Sequence, residues 1–541
     1  MLKHSTETYD NCYLIVLYYK LNGDLMMQTH SNLLESDHRQ KPPSTSLFSD
    51  KQMRDFIVNG YVTIKTDLPR SVHETIYRKT QEYSENEGNL GNNVLPRVPE
   101  LQAVFDDPTV RGAFTSILGQ NYVMHSHRHP HRNGPHSGGQ GFHKDSYWGH
   151  QKVRHHRPRW AMAFYYPQDT PLEIGPSSVL SGTQYYSHRI TEENDGEVSL
   201  SGEAGTVTLI HFDLWHRAMA NQTDKTRYMM KFQFIRMDEP QEPEWNSEDP
   251  TWKTEDFDEY VNPAAQQHET TWRHVWNWMV GGSNGHTTQV DNGNLSTHIE
   301  ALSDEDPIVR SEAADALGLL GESATDAIPM LSDALRDDYE PVCLNAAYAL
   351  GAIGEPAVSA LIEKLEDENG SARRMAAYGL AAVGAPAVSA LCDALENDND
   401  EVRHQATYAL AQIGSAAEPA VPALMELTKD SKVEVRRYIP EAFGAIGAPA
   451  APAVSKLIDM LAKDEDVQVR FESALALGQI GPASSDAIPV LKESLFDKNR
   501  YVRDNSIHAL KRIGTPEAET TLLDYLITTR WCAITNNKST H

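Results

Sequence analysis

Seven glycines divide the second half of this chain into near-equal segments. Gly321, Gly354, Gly384, Gly414, Gly447, Gly481 and Gly514 each follow a hydrophobic residue, at spacings of 33, 30, 30, 33, 34 and 33 residues. Self-similarity at this period excludes a single compact domain there, because each segment is one supersecondary unit that buries its apolar face only on its neighbours. Before each glycine the apolar residues recur at helical spacing, as in Val309, Ala313 and Leu317 or Val402, Ala406 and Leu410. The glycine suits the left-handed turn that ends such a helix. An aspartate 15 to 17 residues earlier (Asp306, Asp338, Asp367, Asp398, Asp430, Asp464, Asp497) stands where the helix would be capped. A second helix is expected over Ala327–Leu331, Ala357–Leu361, Ala420–Leu424 and Ala487–Leu491. Pro329, Pro422 and Pro489 fall in its first turn, where a missing N–H costs little.

An arginine recurs near the start of the first helix: Arg310, Arg373, Arg403, Arg436, Arg470 and Arg503, with Cys343 breaking the series in the second unit. These units resemble HEAT repeats, specifically the short HEAT-like repeats also found in phycobilisome lyases. The resemblance implies an α-solenoid of about seven repeats, with each arginine paired to an aspartate of its own or a neighbouring unit. It also implies a protein partner. Deoxyhypusine hydroxylase, which has related repeats, holds iron on His-Glu pairs set within them. Here His404 and His508 have no following Glu, and His268-Glu269 lies outside the repeats, so that chemistry is not expected.

The first half carries a different pattern. Helices are expected at Asp50–Asn59 and Pro69–Asn86, then strands at Tyr122–His127, Trp160–Tyr166, Thr206–Ile210 and Arg227–Phe234. In the last, alternation of Tyr228, Met230, Phe232 and Phe234 suits a strand with one buried face. His143-Lys144-Asp145 places an imidazole and a carboxylate two residues apart, on one side of an extended segment. His216, 73 residues on, supplies a second imidazole from another strand. Two His and one carboxylate form the facial triad that holds Fe(II) while leaving positions open. Arg227 follows His216 by eleven residues, across a turn at Asn221–Lys225. A guanidinium fork matches the free carboxylate of a chelating keto acid such as 2-oxoglutarate, which Lys cannot copy.

These residues resemble the phytanoyl-CoA dioxygenase family of Fe(II)- and 2-oxoglutarate-dependent oxygenases, over about Leu47 to Met237. The family's opening pattern stands as Phe56-Ile57-Val58-Asn59-Gly60-Tyr61-Val62, and its acidic-Thr-Pro segment as Gln168-Asp169-Thr170-Pro171-Leu172-Glu173-Ile174-Gly175-Pro176. The resemblance implies a double-stranded β-helix (jelly roll) with flanking helices. It implies His143, Asp145 and His216 as catalytic iron ligands, Arg227 and Asn221 on the co-substrate, and O2 as oxidant. Two departures stand out: Ser181-Gly182-Thr183-Gln184 replaces the usual Pro-Gly-Ser-His, and Ala218 replaces a Ser or Thr two residues after the distal His. Asp145 favours hydroxylation, since halogenating relatives carry a small residue there.

From His125 to Trp160 the chain holds nine histidines, seven Lys or Arg and one acid, a local balance of about +6. One reading is a pocket rim that attracts an anionic substrate, with His125, His127, Arg128, Gln140, Tyr147 and Trp148 as substrate contacts. The other sets these charges against the acidic linker or the repeats. The whole chain carries a formal −28, which argues against nucleic acid and anionic membranes as partners. Four scattered cysteines show no disulfide or zinc spacing. The apolar run Cys12–Tyr19 falls well short of the roughly 20 residues that span a bilayer. No secretory signal is read, and a cytoplasmic location is expected.

The expected organisation is a poorly ordered segment over residues 1–45, an oxygenase domain over 46–237, an acidic extension and linker over 238–293, repeats over 294–515, and a C-terminal helix and tail over 516–541. Trp272, Trp276 and Trp278 are expected to pack the linker on one domain. The function expected is hydroxylation of an unactivated carbon in a small organic molecule, anionic on the first of the two readings of the basic stretch, with the repeats binding a protein. The alternative is a repeat scaffold whose oxygenase half is inactive or directed at a protein.

Overall fold

The computed structural model describes residues 42–145, 155–190, 196–253, 268–282 and 295–528. By its internal contacts the chain divides between Pro42 and Pro43, and the second unit carries everything below. The expected disordered segment up to residue 41, Tyr147 and Trp148, and the tail beyond residue 528 lie outside the described residues.

Helix Asp50–Asn59 opens on a capping box in which Ser49 and Gln52 satisfy each other's backbone N–H. Helix Arg70–Glu87 follows, close to its expected bounds. Three shorter helices, Val94–Arg97, Leu101–Asp106 and Pro108–Leu118, went unforeseen. Eight strands come next or between: β1 Tyr61–Lys65, β2 Val123–Asn133, β3 Trp160–Tyr165, β4 Ser177–Leu180, β5 Glu197–Ser199, β6 Thr206–His211, β7 His216–Ala218 and β8 Arg227–Ile235. They form a five-stranded antiparallel sheet, β1-β6-β3-β8-β2, and a three-stranded one, β5-β4-β7. Strand β2 runs six residues further than expected, carrying Pro130 and the alternating histidines, with an irregular register between Met124 and Arg128.

β8 is buried along its whole length, not on one face only. Phe232 and Phe234 pack on Phe105 and Phe114 of the helices, with ring centroids 4.4 and 3.9 Å apart. The opposite face, carrying Arg227, Met229 and Lys231, lines a cavity. A strand between a helical layer and an enclosed site has no wet side.

The C-terminal half is a succession of helix pairs, from Pro307–Leu320 with Ile328–Ala334 to Arg500–Ile513 with Pro516–Thr528. All seven marker glycines have positive φ, 57 to 85°. At Gly354 to Gly481 ψ lies near −140°, a region that side chains close by steric clash. The capping expectation needs correction. Only Asp306 caps its helix; Asn369, Asn399, Asp466 and Asn499 cap later ones. Asp367, Asp430, Asp464 and Asp497 sit two residues before the cap and accept its N–H, at 2.6 to 2.9 Å. Their other partners are the arginines. Arg403 grips Asp430, Arg436 grips Asp464, and Arg310 grips Asp337 through two nitrogens each. Arg470 reaches Asp497 through Nε. At the broken second unit, Arg336 takes over Asp367.

The two halves interlock. Helix Glu269–Met279 lies inside the expected linker, and its Trp272, Trp276 and Trp278 are buried. They share one apolar core with Phe56 of the first helix and with Leu344 and Tyr348 of the repeats, so the helix packs on both sides rather than one. No single described helix is long and apolar enough to cross a membrane, and one bent pair, Gly370–Val383 with Ala385–Ala394, passes that test by length and composition alone.

Candidate metal centre

His143 and His216 face each other across an antiparallel bridge, each N–H donating to the other's carbonyl at 2.9 and 3.0 Å. This pairing, on the extended segment expected at His143, brings the imidazole centroids to 4.6 Å. Asp145 Oδ1 stands 3.9 Å from His216 Nε2. One donor atom from each of His143, Asp145 and His216 lies within 4.8 Å of the others, the one such cluster among the described residues. His143 Nδ1 lies 3.0 Å from the Gly141 carbonyl and His216 Nδ1 2.9 Å from that of Leu214. Each Nδ1 must therefore donate, leaving Nε2 with a lone pair for a metal. Burial also holds His216 down to about 4, so its ring is neutral at pH 7, as a ligand must be.

Arg227 opens β8 beside this cluster and is 1% exposed. Its Nε donates to the Gly175 carbonyl at 2.9 Å and Nη1 to that of His131 at 3.4 Å, while Nη2 is buried with no partner. Gly175 reaches this position at φ 71°, and a Cβ there would meet Asn133 Nδ2 and Met219 O at 2.6 Å. Desolvation lowers the Arg227 pKa, so its charge calls for an anionic partner. His143, His216, Arg227 and Gln140 line one cavity of about 210 Å³. Three converging ligands and an orphaned guanidinium nitrogen fit a metal chelated by a dicarboxylate.

Other expected contacts stand elsewhere. The Asn221 amide donates to the carbonyls of Asn133, Gly134 and Lys225, and its oxygen accepts from Thr223, so it shapes the turn before Arg227. His125 stacks on Tyr501 of the repeats at 5.0 Å, and His127 Nδ1 lies 2.7 Å from the Tyr501 hydroxyl. The charge of Asp504 acts on Arg128, and the same carboxylate accepts the Ser126 N–H at 2.8 Å. Further along the basic stretch, His156 Nδ1 pairs with the Tyr348 hydroxyl at 2.7 Å. Arg159 donates to Ala411 O at 3.1 Å and Arg157 to Gln412 O, the last carbonyls of helix Asp400–Ile413, where the helix dipole favours cations. Among the described residues, His125, His127, Arg128, His156, Arg157 and Arg159 thus face the repeats, whereas His131 and Arg132 line the Arg227 cavity and Lys144 donates to the Tyr186 carbonyl at 2.6 Å.

Lys231 escaped the sequence reading. Its Nζ lies 2.7 Å from Asp145 Oδ2, both side chains at most 3% exposed. The signal was present: Lys231 follows Arg227 by four residues on a strand and so shares its face.

Two family models match the chain: Phytanoyl-CoA dioxygenase (PhyH) over residues 67–229, and HEAT repeats over 295–363, 358–442, 389–458 and 454–531. Among solved structures the chain is similar to the non-heme alpha ketoglutarate dependent carbocyclase SnoK from nogalamycin biosynthesis, at 19% identity over 37% of this chain and 88% of that one, TM-score 0.31. The nickel complex of the non-heme monooxygenase ThoJ is 18% identical over 39% of this chain and 91% of its own, TM-score 0.30. An engineered protein is 24% identical over 43% of this chain and 71% of its own, TM-score 0.28. No curated protein matches.

Proposed function

We propose that this chain, which joins a phytanoyl-CoA dioxygenase domain to HEAT repeats, hydroxylates an unactivated carbon of a small organic molecule. Fe(II), 2-oxoglutarate and O2 are the cofactor and co-substrates of such a domain, and the residues present suit them. The observation that carries the reading is one cavity lined both by the His143–His216 pair and by Arg227 with its unpartnered Nη2.

In this reading His143, Asp145 and His216 hold the metal, and the Gly141 and Leu214 carbonyls orient the two rings. Bound there, Fe(II) with 2-oxoglutarate supplies oxidation of a C–H bond coupled to decarboxylation of the co-substrate to succinate. Arg227 holds the distal carboxylate. Ala218 offers no hydroxyl to assist it, which shifts the anchoring onto the guanidinium. Asp145 would hold the metal with a carboxylate where halogenating relatives carry a small residue, which favours hydroxylation. Burial of Asp145 and His216 keeps bulk water from the reacting centre.

The two antiparallel sheets are read as a double-stranded β-helix within an oxygenase domain over 46–237. The glycine series is read as seven HEAT-like units over 294–515, in a cytoplasmic protein. A protein partner would meet the repeats on surface that the oxygenase leaves uncovered.

The test is anaerobic addition of Fe(II), then 2-oxoglutarate, to the full chain. A visible charge-transfer band that saturates in wild type and vanishes in Asp145→Ala is expected. A folded wild type that gives no band would overturn the oxygenase reading and favour the scaffold.

A further inference from the structure

The short turn Thr183–Tyr185 follows β4 and meets both segments that carry the metal-ligand candidates. Lys144 stands between His143 and Asp145, so on an extended segment its side chain leaves from the opposite side. It is buried, and its ammonium donates to the Tyr186 carbonyl at 2.6 Å and the Thr183 carbonyl at 3.2 Å. A buried ammonium is stable only where such acceptors meet it, so the lysine is fixed in direction, and its two neighbours with it. The residue before His216 is tied to the same place. The Trp215 N–H donates to Thr183 Oγ1 at 3.4 Å, and the Trp215 carbonyl accepts the Leu180 N–H at 2.9 Å. His143, Asp145 and His216 thus each adjoin a residue hung on this turn.

The repeats grip the chain just beyond that turn. Glu340 opens the repeat helix Glu340–Ile353, and its carboxylate oxygens accept the N–H groups of Ser187 at 2.7 Å and His188 at 3.0 Å. Tyr186 is held as well, through a relay whose direction is fixed. The Asn345 amide nitrogen donates to the Ser311 carbonyl at 3.0 Å, so its oxygen is the atom facing His268 Nδ1, 2.5 Å away. Nδ1 therefore donates, and His268 Nε2 accepts the Tyr186 hydroxyl. Glu340 and Asn345 belong to the second repeat unit, the one whose ladder arginine is replaced by Cys343.

We propose that the second repeat unit supports the metal centre. Glu340 and Asn345 fix the chain at 186–188, and Lys144, hung on the adjoining turn, sets the angle at which His143 and Asp145 meet the metal. All three act through other groups and are positioning residues. This rests on the metal reading above and goes beyond it, because the geometry of the site then depends on the repeats.

The experiment titrates the full chain with Co(II) under anaerobic conditions, since its visible ligand-field bands report coordination geometry. Only the absorbance that His216→Ala abolishes is counted. Glu340→Ala and Lys144→Met should each weaken Co(II) by roughly 10- to 100-fold, as loss of groups that orient metal ligands does, and should shift the bands. Lys144→Arg, which keeps the charge and the donors, should recover part of the loss. Arg436→Ala, whose partners are Asp464 and Asp430 of the ladder, should lower stability yet keep wild-type affinity and bands. That control separates positioning from general loosening. Glu340→Gln retains one acceptor and serves if Glu340→Ala does not fold; it should give the same shift with a smaller loss. Wild-type affinity and bands in a folded Glu340 or Lys144→Met variant, or an equal loss in Arg436→Ala, would overturn the proposal alone. A wild type that binds no Co(II) would overturn the metal reading, and this proposal with it.

Discussion

The hydroxyl of Tyr501, in the repeat helix Arg500–Ile513, lies 2.7 Å from Nδ1 of His127 on strand β2. Residues 374 apart in sequence thus share a hydrogen bond inside the molecule, and the same tyrosine ring stacks on His125. Burial holds His127 down to about 3, so the imidazole is neutral and needs this partner. The solenoid is a structural part of the oxygenase half as much as a platform beside it.

Cooperativity should follow from that interlock. Trp160 and Phe212 pack on the repeat core, while Leu344, Tyr348 and Ala382 of the repeats belong to the oxygenase core. Calorimetry should show one unfolding transition for both halves. Tyr501→Phe should lower stability by about 1–3 kcal/mol, the cost of leaving a buried ring nitrogen unsatisfied. Two well-separated transitions would show that the halves fold independently.

Acid should destabilise the native chain well above the range where carboxylates titrate. Burial holds His156 down to about 3 and His268 down to about 4, against the ordinary 6.5. Below about pH 6.5 the unfolded chain binds protons that the native chain refuses, so stability is full above that pH and falls toward the native values. Asp315, pushed up to about 6 by burial, acts in the opposite sense, favouring the protonated native form below that value. Two imidazoles outweigh one carboxyl. The guanidinium midpoint should drop from about pH 7 to about pH 5, and the drop should be shallower in His156→Gln. A midpoint flat across this window would contradict the buried neutral rings.

Arg227→Lys should weaken 2-oxoglutarate by roughly 10- to 100-fold, from the loss of about 1.5–3 kcal/mol of charge-assisted hydrogen bonding. Titration of the charge-transfer band reads this directly. An unchanged midpoint would mean that another residue holds the distal carboxylate.

Removing one rung of the arginine ladder should cost more than a surface ion pair does. Arg436 reaches both oxygens of Asp464 and the Asp430 carbonyl, so it ties two units and one turn together. Arg436→Ala should lose about 2 kcal/mol in denaturant unfolding. A change within about 0.5 kcal/mol, as exposed pairs give, would show that the ladder is ornamental.

Local chemistry was legible in the sequence. Seven glycines marked seven positive-φ turns because few side chains tolerate that backbone, and the metal-ligand candidates His143, Asp145 and His216 do converge. Four of the seven expected caps stood two residues before the observed N-cap and two stood one residue before it, since Asx turns before a helix use the same residue types as caps do. Asn221 carries a motif position, yet its amide is saturated by the turn.

What the sequence by itself determined was therefore periodic or short-range: the helix pairs, the strand faces, the spacing of His143, Asp145, His216 and Arg227. Only the tertiary structure decided where the basic stretch points, that Trp272, Trp276 and Trp278 join both halves, and that Glu441 and Glu472 of the repeats line one cavity with Asp145. The physical reason is that backbone preference and amphipathic period act over a few residues, and composition encodes them. A contact between Tyr501 and His127 depends on how the whole solenoid curves onto the sheet, and that is the sum of every helix packing between them.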